Sequence, residues 1–328
     1  MSKIKRQIAN EAVTLGQPIT INLPRNYAYR GLTLRLAGSL TGTGGDGAGT
    51  SFEAGCLKLI SKVSIRRNGK DTIMDLTGEE IFLMNQVLYG CVPQITNTTG
   101  AIAANVAVNA LVKIPFENIL GIKKFDTLMQ SVGLSSLDMV IEIASSAGVC
   151  IDGGTTVFTV GTTTFTLNVA SDEESGAENF VFGDIRMYKA QSVPVTGASS
   201  SFQIKPLSVG NMYKGFLLIT KDTGTAGELD STIIDNIKLK SGVEVFIDQK
   251  ANSIREEMKI ERSIETLKAG VYYIDLMPDG RLNQCLDVRP ETGRQSLEFD
   301  LVTLAPTTAG NIDVIALEYI PPVQVVKK

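Results

Sequence analysis

The chain contains no histidine and no tryptophan. Without histidine it lacks the commonest general base and the commonest zinc ligand. Without tryptophan, and with aromatics at 6%, it lacks the usual stacking platform for sugars and bases. Cysteine is sparse: Cys56, Cys91, Cys150 and Cys285 lie far apart with no CxxC pair. That favours buried, reduced thiols over a disulfide framework or a zinc site. No apolar run reaches the roughly 18 residues a spanning helix needs. AIAANVAVNALV (101–112) comes closest, and Asn105 and Asn109 interrupt it. A net charge of −4 argues against general nucleic-acid binding, which needs a basic surface to displace counterions. The N-terminal stretch MSKIKRQIANEAV is basic but lacks the apolar centre of a signal peptide. The expectation is a protein made and folded in the cytosol. Its 328 residues suit two domains, and 43% hydrophobic with 20% charged residues is ordinary for a well-packed protein.

What is present reads as β-structure. ITINL, LTLRLAG, KLISKVSIRR, VAVNALVKI, LDMVIEI and TVFTVGTTTFTLNV show β-branched or period-two patterns between Gly, Asn, Asp and Pro. In SIRRNGKDTI, Asn68-Gly69 suits a type I′ hairpin turn, because both turn residues need positive φ. Two segments look helical: 78–90, with Thr77 and Glu80 at capping-box spacing, and 253–267, with Ser253 and Glu256 at the same spacing. Ile254, Met258 and Ile264 then fall at a roughly helical period.

The order of these elements occurs twice. Tyr29, Arg30, Gly31 and Leu32 recur as Tyr213, Lys214, Gly215 and Phe216. The hairpin residues Ile60, Val63, Ile65 and Gly69 correspond to Ile234, Ile237, Leu239 and Gly242. VKIPF (112–116) matches YYIDL (272–276), and SLDMVIEI (136–143) matches SLEFDLVT (296–303), with no gap between Ile114 and Leu137 relative to Ile274 and Leu297. The period is too long for a solenoid repeat, which runs about 20–50 residues. Two whole domains of about eight strands and one helix each are implied. The fold class is all-β: two tandem eight-stranded jelly rolls in one chain, each with a short inserted helix. A barrel or an immunoglobulin-like sandwich fits the strand number nearly as well. The expected division is an N-terminal arm 1–16, roll one 17–170, a linker 171–179, roll two 180–320 and a C-terminal tail 321–328. The rolls are expected to be separate, with Gly31 over Gly215 and Leu137 over Leu297.

Several motifs resemble chemical sites without the context those sites need. GTGGDG (42–47) fits G-x-G-x-x-G, but no helix follows it to receive a pyrophosphate. NGKDT lacks the glycine spacing of a Walker loop, and Asn97-Thr98-Thr99 reads as a polar loop. The carboxylates Asp138, Glu142, Glu298 and Asp300 alternate along strands as solvent-face residues do, and no spacing singles out a pair for glycoside hydrolysis. SDEESGAEN (171–179) reads as a solvated linker ahead of a calcium site built from Asp172, Glu173, Glu174 and Glu178. The repeated tyrosines read as scaffold at a barrel rim ahead of interface anchors. No catalytic, metal or cofactor-binding residue is nominated, no cofactor is expected, and the protein is not expected to be an enzyme.

The ordered series resembles a known family. ITINLPRNYAYRGLTLRLAGSL, LISKVSIRRNGKDTIMDLTGEEIFLMN and IDVIALEYI resemble the opening strands, the hairpin-plus-helix and the closing strand of the corticovirus-type coat protein. The pattern is similar to the double jelly-roll major capsid proteins of tailless, membrane-containing icosahedral phages of the corticovirus and tectivirus type, and of adenovirus-like hexons. The resemblance implies a homotrimer with pseudo-sixfold symmetry, set among neighbouring capsomers, penton or minor capsid proteins and an internal viral membrane, with no specific nucleic acid. It places the chain in the host cytoplasm before assembly and in the virion capsid afterwards. On that reading Lys3, Lys5 and Arg6 form a membrane-facing arm whose bases meet anionic headgroups, and removing residues 1–10 should leave trimers intact. Alternatives from other classes are a tandem jelly-roll carbohydrate-binding or hydrolytic protein, against which the missing Trp and His count, and a virion spike or adhesin, whose fibrous repeats are not visible.

Overall fold

The computed structural model describes residues 2–43, 50–51, 54–93, 106–152, 157–160, 164–176, 182–208, 210–222, 228–264, 267–294, 296–306 and 309–322. Most of GTGGDG, the Asn97 triplet, the opening of AIAANVAVNALV, Glu178 and the tail from 323 lie outside the described residues.

The first roll contains β1 (Ser2–Ala12), β2 (Ile19–Asn22), β3 (Ala28–Thr43), β4 (Ile60–Arg67), β5 (Asp71–Leu76), α1 (Gly78–Tyr89), β6 (Val106–Pro115), β7 (Leu137–Ile143) and β8 (Thr166–Ser175). The second contains β9 (Asp184–Val195), β10 (Ser199–Leu207), β11 (Met212–Asp222), β12 (Ile234–Ser241), β13 (Glu244–Lys250), α2 (Ala251–Arg262), β14 (Val271–Asp275), β15 (Leu297–Thr303) and β16 (Gly310–Ile320). The first roll's strands order as β1-β8-β3-β6 and β2-β7-β4-β5; the second's order as β9-β16-β11-β14 and β10-β15-β12-β13. Apart from the short strands Val157–Val160 on β3 and Glu228–Leu229 and Leu286–Asp287 on β11, these are two four-stranded faces per roll, with the same pairing scheme twice. Gly31 sits between Pro115 and Asp172, and Gly215 between Asp275 and Leu317, so the two glycines are equivalent. Leu137 and Leu297 likewise each open the strand beside the hairpin.

The alternation that marked β7 is real: LDMVIEI buries every second residue. β11 is different. FLLI (216–219) is buried throughout, because its sheet is covered on both sides, which gives a continuous apolar run instead of alternation. Phe216 and Leu218 belong to the interior of the second roll, while Leu217 and Ile219 join the core cluster of the first. α1 is buried from Glu80 to Leu88, the polar Glu80, Asn85 and Gln86 included, and Asn85 bonds the Lys113 backbone N–H and carbonyl.

Local chemistry sets the ends of the elements. Asn68 and Gly69 have φ of 50° and 69°, as the type I′ turn requires. Thr77 accepts from the Glu80 backbone N–H and Glu80 accepts in return from Thr77 N, at 3.2 and 2.8 Å. Gly90, at φ 67°, ends α1 in the left-handed region. Thr77→Ala should lower stability by about 1 kcal/mol, read as a shift in the urea midpoint at unchanged slope; an unshifted midpoint would contradict the cap's role. In the second helix the expected cap is corrected. α2 begins at Ala251, Lys250 precedes it with no side-chain cap bond, and Ser253 lies inside the first turn. The preceding strand β13 runs directly into the helix, leaving no room for a capping turn at Ser253.

Three further expectations are corrected. The rolls are not separate: β5 and β9 pair in parallel at Met74–Met187 and Asp75–Tyr188, so one sheet runs through both halves. Residues 2–12 are not an arm but the first strand of roll one, paired with β8 from Ser2–Ser175 to Ala12–Thr166. Residues 171–175 are not linker but the end of β8.

Candidate functional site

The repeated Tyr-base-Gly unit is a structural device, and the two copies match in detail. Opposite Tyr29 lies Glu173 and opposite Gly31 lies Asp172, so Arg30 is the extra residue of a β-bulge. Opposite Tyr213 lies Glu318 and opposite Gly215 lies Leu317, so Lys214 is bulged likewise. The Tyr29 hydroxyl donates to the Pro24 carbonyl and that of Tyr213 to the Ser208 carbonyl, each five residues upstream. Both rings are fully buried, and burial raises both phenol pKa values. These are tyrosine corners, which pin the approach of a strand by one buried hydrogen bond. A Cβ on Gly31 would stand 2.8 Å from the Ile114 carbonyl oxygen, and one on Gly215 2.7 Å from that of Ile274. Glycine is there because a neighbouring backbone passes too close for a side chain.

Each buried tyrosine faces a buried glutamate. Glu173 receives a bidentate pair from Arg6, at 3.0 and 2.8 Å. Glu318 receives the Tyr188 hydroxyl and, at 2.8 Å, Asn211 Nδ2. Arg6 and Tyr188 occupy the same place, opposite Ser171 in β8 and Ala316 in β16. The supposed linker acids are thus neutralised across strands: Asp172 by Lys3 at 2.8 Å, Glu173 by Arg6, and Glu174 by Arg30 at 3.6 Å. Of the nominated basic residues, Arg6 and Lys3 are already engaged, and Lys5 is exposed.

The contact between rolls is ionic around an apolar bridge. On one side Arg67 meets Asp184 at 2.7 Å, and Arg186 meets Asp71 at 2.6 Å. On the other, Lys189 reaches Glu80 at 2.5 Å and Lys221 reaches Glu79 at 2.7 Å, while both lie 3.6 Å from Asp313. Burial opposes the charge on Lys221, but Glu79 and then Asp313 raise its pKa overall. Glu80 therefore does two jobs, capping α1 with one oxygen and holding the second roll with the other. No feature of the sequence paired residue 80 with residue 189; the capping spacing pointed only to the local half of its role.

Among the described residues no group of three or more Cys, Asp or Glu side chains could hold a metal ion, and no helix is long and apolar enough to cross a membrane. Cys56, Cys150 and Cys285 are buried and free, Cys91 exposed and free; burial pushes the Cys56 thiol up to about 12, which suppresses its thiolate.

Two eight-stranded jelly rolls in tandem, each with one helix between its fifth and sixth strands, define a double jelly-roll protein. No protein-family model and no curated protein matches the chain. Among solved structures it is similar to the STIV MCP, with TM-score 0.79 and 14% identity over 100% of both chains. It is also similar to the major capsid protein P2 from bacteriophage PM2, with TM-score 0.64 and 13% identity over 97% of this chain and 98% of that one. The PBCV-1 virus capsid matches with TM-score 0.64 and 13% identity, over 97% of this chain and 93% of that one. The fold is shared end to end, and the likeness does not single out the phages of the corticovirus and tectivirus type.

Proposed function

We propose that the chain is the major capsid protein of an icosahedral virus that encloses a lipid membrane. Three copies would form a pseudo-hexagonal capsomer that packs against neighbouring capsomers and minor capsid proteins. Its role is structural, not catalytic. The observation that carries this reading is the full-length likeness to the STIV MCP, with neither chain leaving a segment uncovered. The duplication supports it. Three two-roll chains present six similar edges, and a hexagonal tile lets one gene product cover a large shell. The rigid ionic join between rolls suits a tile that must keep its shape.

The purified protein should behave as three times the 35.2 kDa chain mass in light scattering at micromolar concentration, and appear as a squat hexagonal particle in electron micrographs. A folded monomer under those conditions would overturn the reading.

A further inference from the structure

Two of the four cysteines, far apart in the chain, are folded into one place. Cys56 lies in the helical turn Gly55–Leu59, and Cys150 ends the helical turn Ala147–Cys150. The two turns pack against each other. Backbone bonds hold them there from both flanks. Thr50–Ser51 pairs with Ile151–Asp152 on one side, and Ala144 N–H donates to the Leu59 carbonyl at 2.8 Å on the other. Both side chains are 1% exposed and belong to the same core cluster. Burial raises the pKa of Cys150 most, and the neighbouring Cys56 thiol raises it further. Cys285 lies in a different cluster, with Met277 and Tyr319, and Cys91 is at the surface.

The pair also sits beneath the join between the rolls. Lys58, on the same turn as Cys56, reaches Glu79 at 3.5 Å, and Glu79 is the acid that receives Lys221 of the second roll. α1 starts directly on that turn: a Cβ on Gly78 would stand 2.2 Å from the Leu57 carbonyl oxygen. Lys58 also draws the Cys150 pKa down, so the thiols and the ionic join share a neighbour. Whatever fixes residues 55–59 fixes the footing of the join.

We propose that Cys56 and Cys150, free in this structure, are a redox pair that closes to a disulfide when the chain folds under oxidising conditions, fastening the turn that carries Lys58 to the turn opposite. With glutathione disulfide as the oxidant, one cysteine thiolate attacks a glutathione sulfur and expels a glutathione thiolate. The second cysteine thiolate attacks the mixed disulfide and expels the other. Two thiols are oxidised, one glutathione disulfide becomes two glutathiones, and the protons balance through water. The timing follows from burial. In an open chain a cysteine has a pKa of about 8.5, so thiolate is at hand. In the fold the Cys56 thiol is pushed up to about 12 and that of Cys150 is raised too, and both sulfurs are shielded from solvent. The bond therefore forms during folding and records the redox state of the compartment in which the chain folds. The loop it closes holds β4, β5, α1, β6 and β7, and crosslinks that close long loops stabilise most. The inference is independent of the capsid reading.

The test is cell-free synthesis of the full chain in a buffer of oxidised and reduced glutathione, in parallel with synthesis in dithiothreitol. The soluble protein is denatured, capped with a maleimide and weighed. The reducing arm should show four capped thiols. The oxidising arm should show only Cys91 and Cys285 capped, and peptide mapping should join Cys56 to Cys150. The oxidised protein should unfold at a higher urea midpoint than the reduced one, and Cys150→Ser should show no such gain. Thiol counting on the wild type decides the bond by itself, so the inference does not depend on the serine variant folding. Protein already folded in dithiothreitol and then moved to the glutathione buffer should keep all four thiols; rapid loss of two would overturn the timing. Four thiols after oxidising synthesis, a bridge that involves Cys91 or Cys285, or no soluble chain in the oxidising arm alone would each overturn the pair.

Discussion

A chain lacking residues 2–12 should fail to fold its first roll. β1 is one of eight strands, hydrogen-bonded to β8 along nearly its whole length, and its removal would strip one side of β8 of partners. The larger cost is electrostatic. Glu173 has no exposed surface, and its charge is balanced by the Arg6 guanidinium. Removing one partner of a buried pair costs about 3–5 kcal/mol, while a domain's whole stability is about 5–15 kcal/mol. Adding the lost backbone bonds and the half-buried Ile4, Ile8 and Ala9 exceeds what the first roll can lose. The truncated protein should be insoluble, or show protease-sensitive residues 13–175 beside a resistant second roll. Arg6→Ala alone should cost about 3 kcal/mol, the lower end of the buried-pair figure, because Arg6 is one-third exposed. A truncated protein that still melts cooperatively within a few degrees of the full chain would refute this account. The outcome also reverses the expectation that removing residues 1–10 leaves trimers intact.

The reading of residues 2–12 as an arm is corrected for a physical reason. Period-two patterning, the Asn68-Gly69 turn, the Thr77 cap and the order of elements are local signals, and all of them describe the structure. The duplication is legible because both copies must satisfy the same close approaches: glycine under a crossing carbonyl at 31 and 215, and a tyrosine that ties back five residues. What could not be seen is pairing over long separations. SKIKRQIANEA looks like a solvated arm and SDEESGAEN like a solvated linker because each is charged. Laid side by side, Lys3 and Arg6 neutralise Asp172 and Glu173, and the two polar stretches become one antiparallel ladder. The seam was hidden in the same way. Glu79, Glu80, Lys189, Lys221 and Asp313 are scattered along the chain and converge only when one roll lies against the other. Tandem jelly rolls need no contact to satisfy their own patterns, so nothing in those patterns announced a shared sheet.

Lys214→Met should make the protein more stable, and the gain should vanish in alkali. The bulged base differs between rolls. Arg30 is held by Glu117 at 2.9 Å and Glu174 at 3.6 Å. In the second roll the registers put Met277 and Tyr319 in those two places, so Lys214 keeps its charge in nearly apolar surroundings. Desolvation by burial lowers its pKa from 10.5 to about 8, against the opposing pull of Asp275. Asp275 is already committed to Arg262 and to the Met277 backbone N–H. A pKa lowered in the folded state means that folding disfavours the charged lysine. Below about pH 8 both folded and unfolded chains carry the proton, and the full penalty, about 3 kcal/mol, weighs on the fold. Between about pH 8 and 10.5 the folded chain gives up its proton while the unfolded chain keeps it, so this residue's penalty shrinks as pH rises. Buried thiols and phenols such as Cys56 and Tyr29, whose pKa values are raised, act in the opposite direction, and the wild-type curve alone would not isolate Lys214. The difference between variant and wild type does. Methionine matches the lysine stem in length and brings no charge, and apolar replacements of buried charge are often stabilising. Urea unfolding should show Lys214→Met ahead by about 2–3 kcal/mol at pH 7, with the lead shrinking steadily by pH 10. A variant less stable than wild type at pH 7, or a lead that does not change with pH, would mean that Lys214 has a counter-charge in the folded protein and that the two copies of the bulge are electrostatically alike.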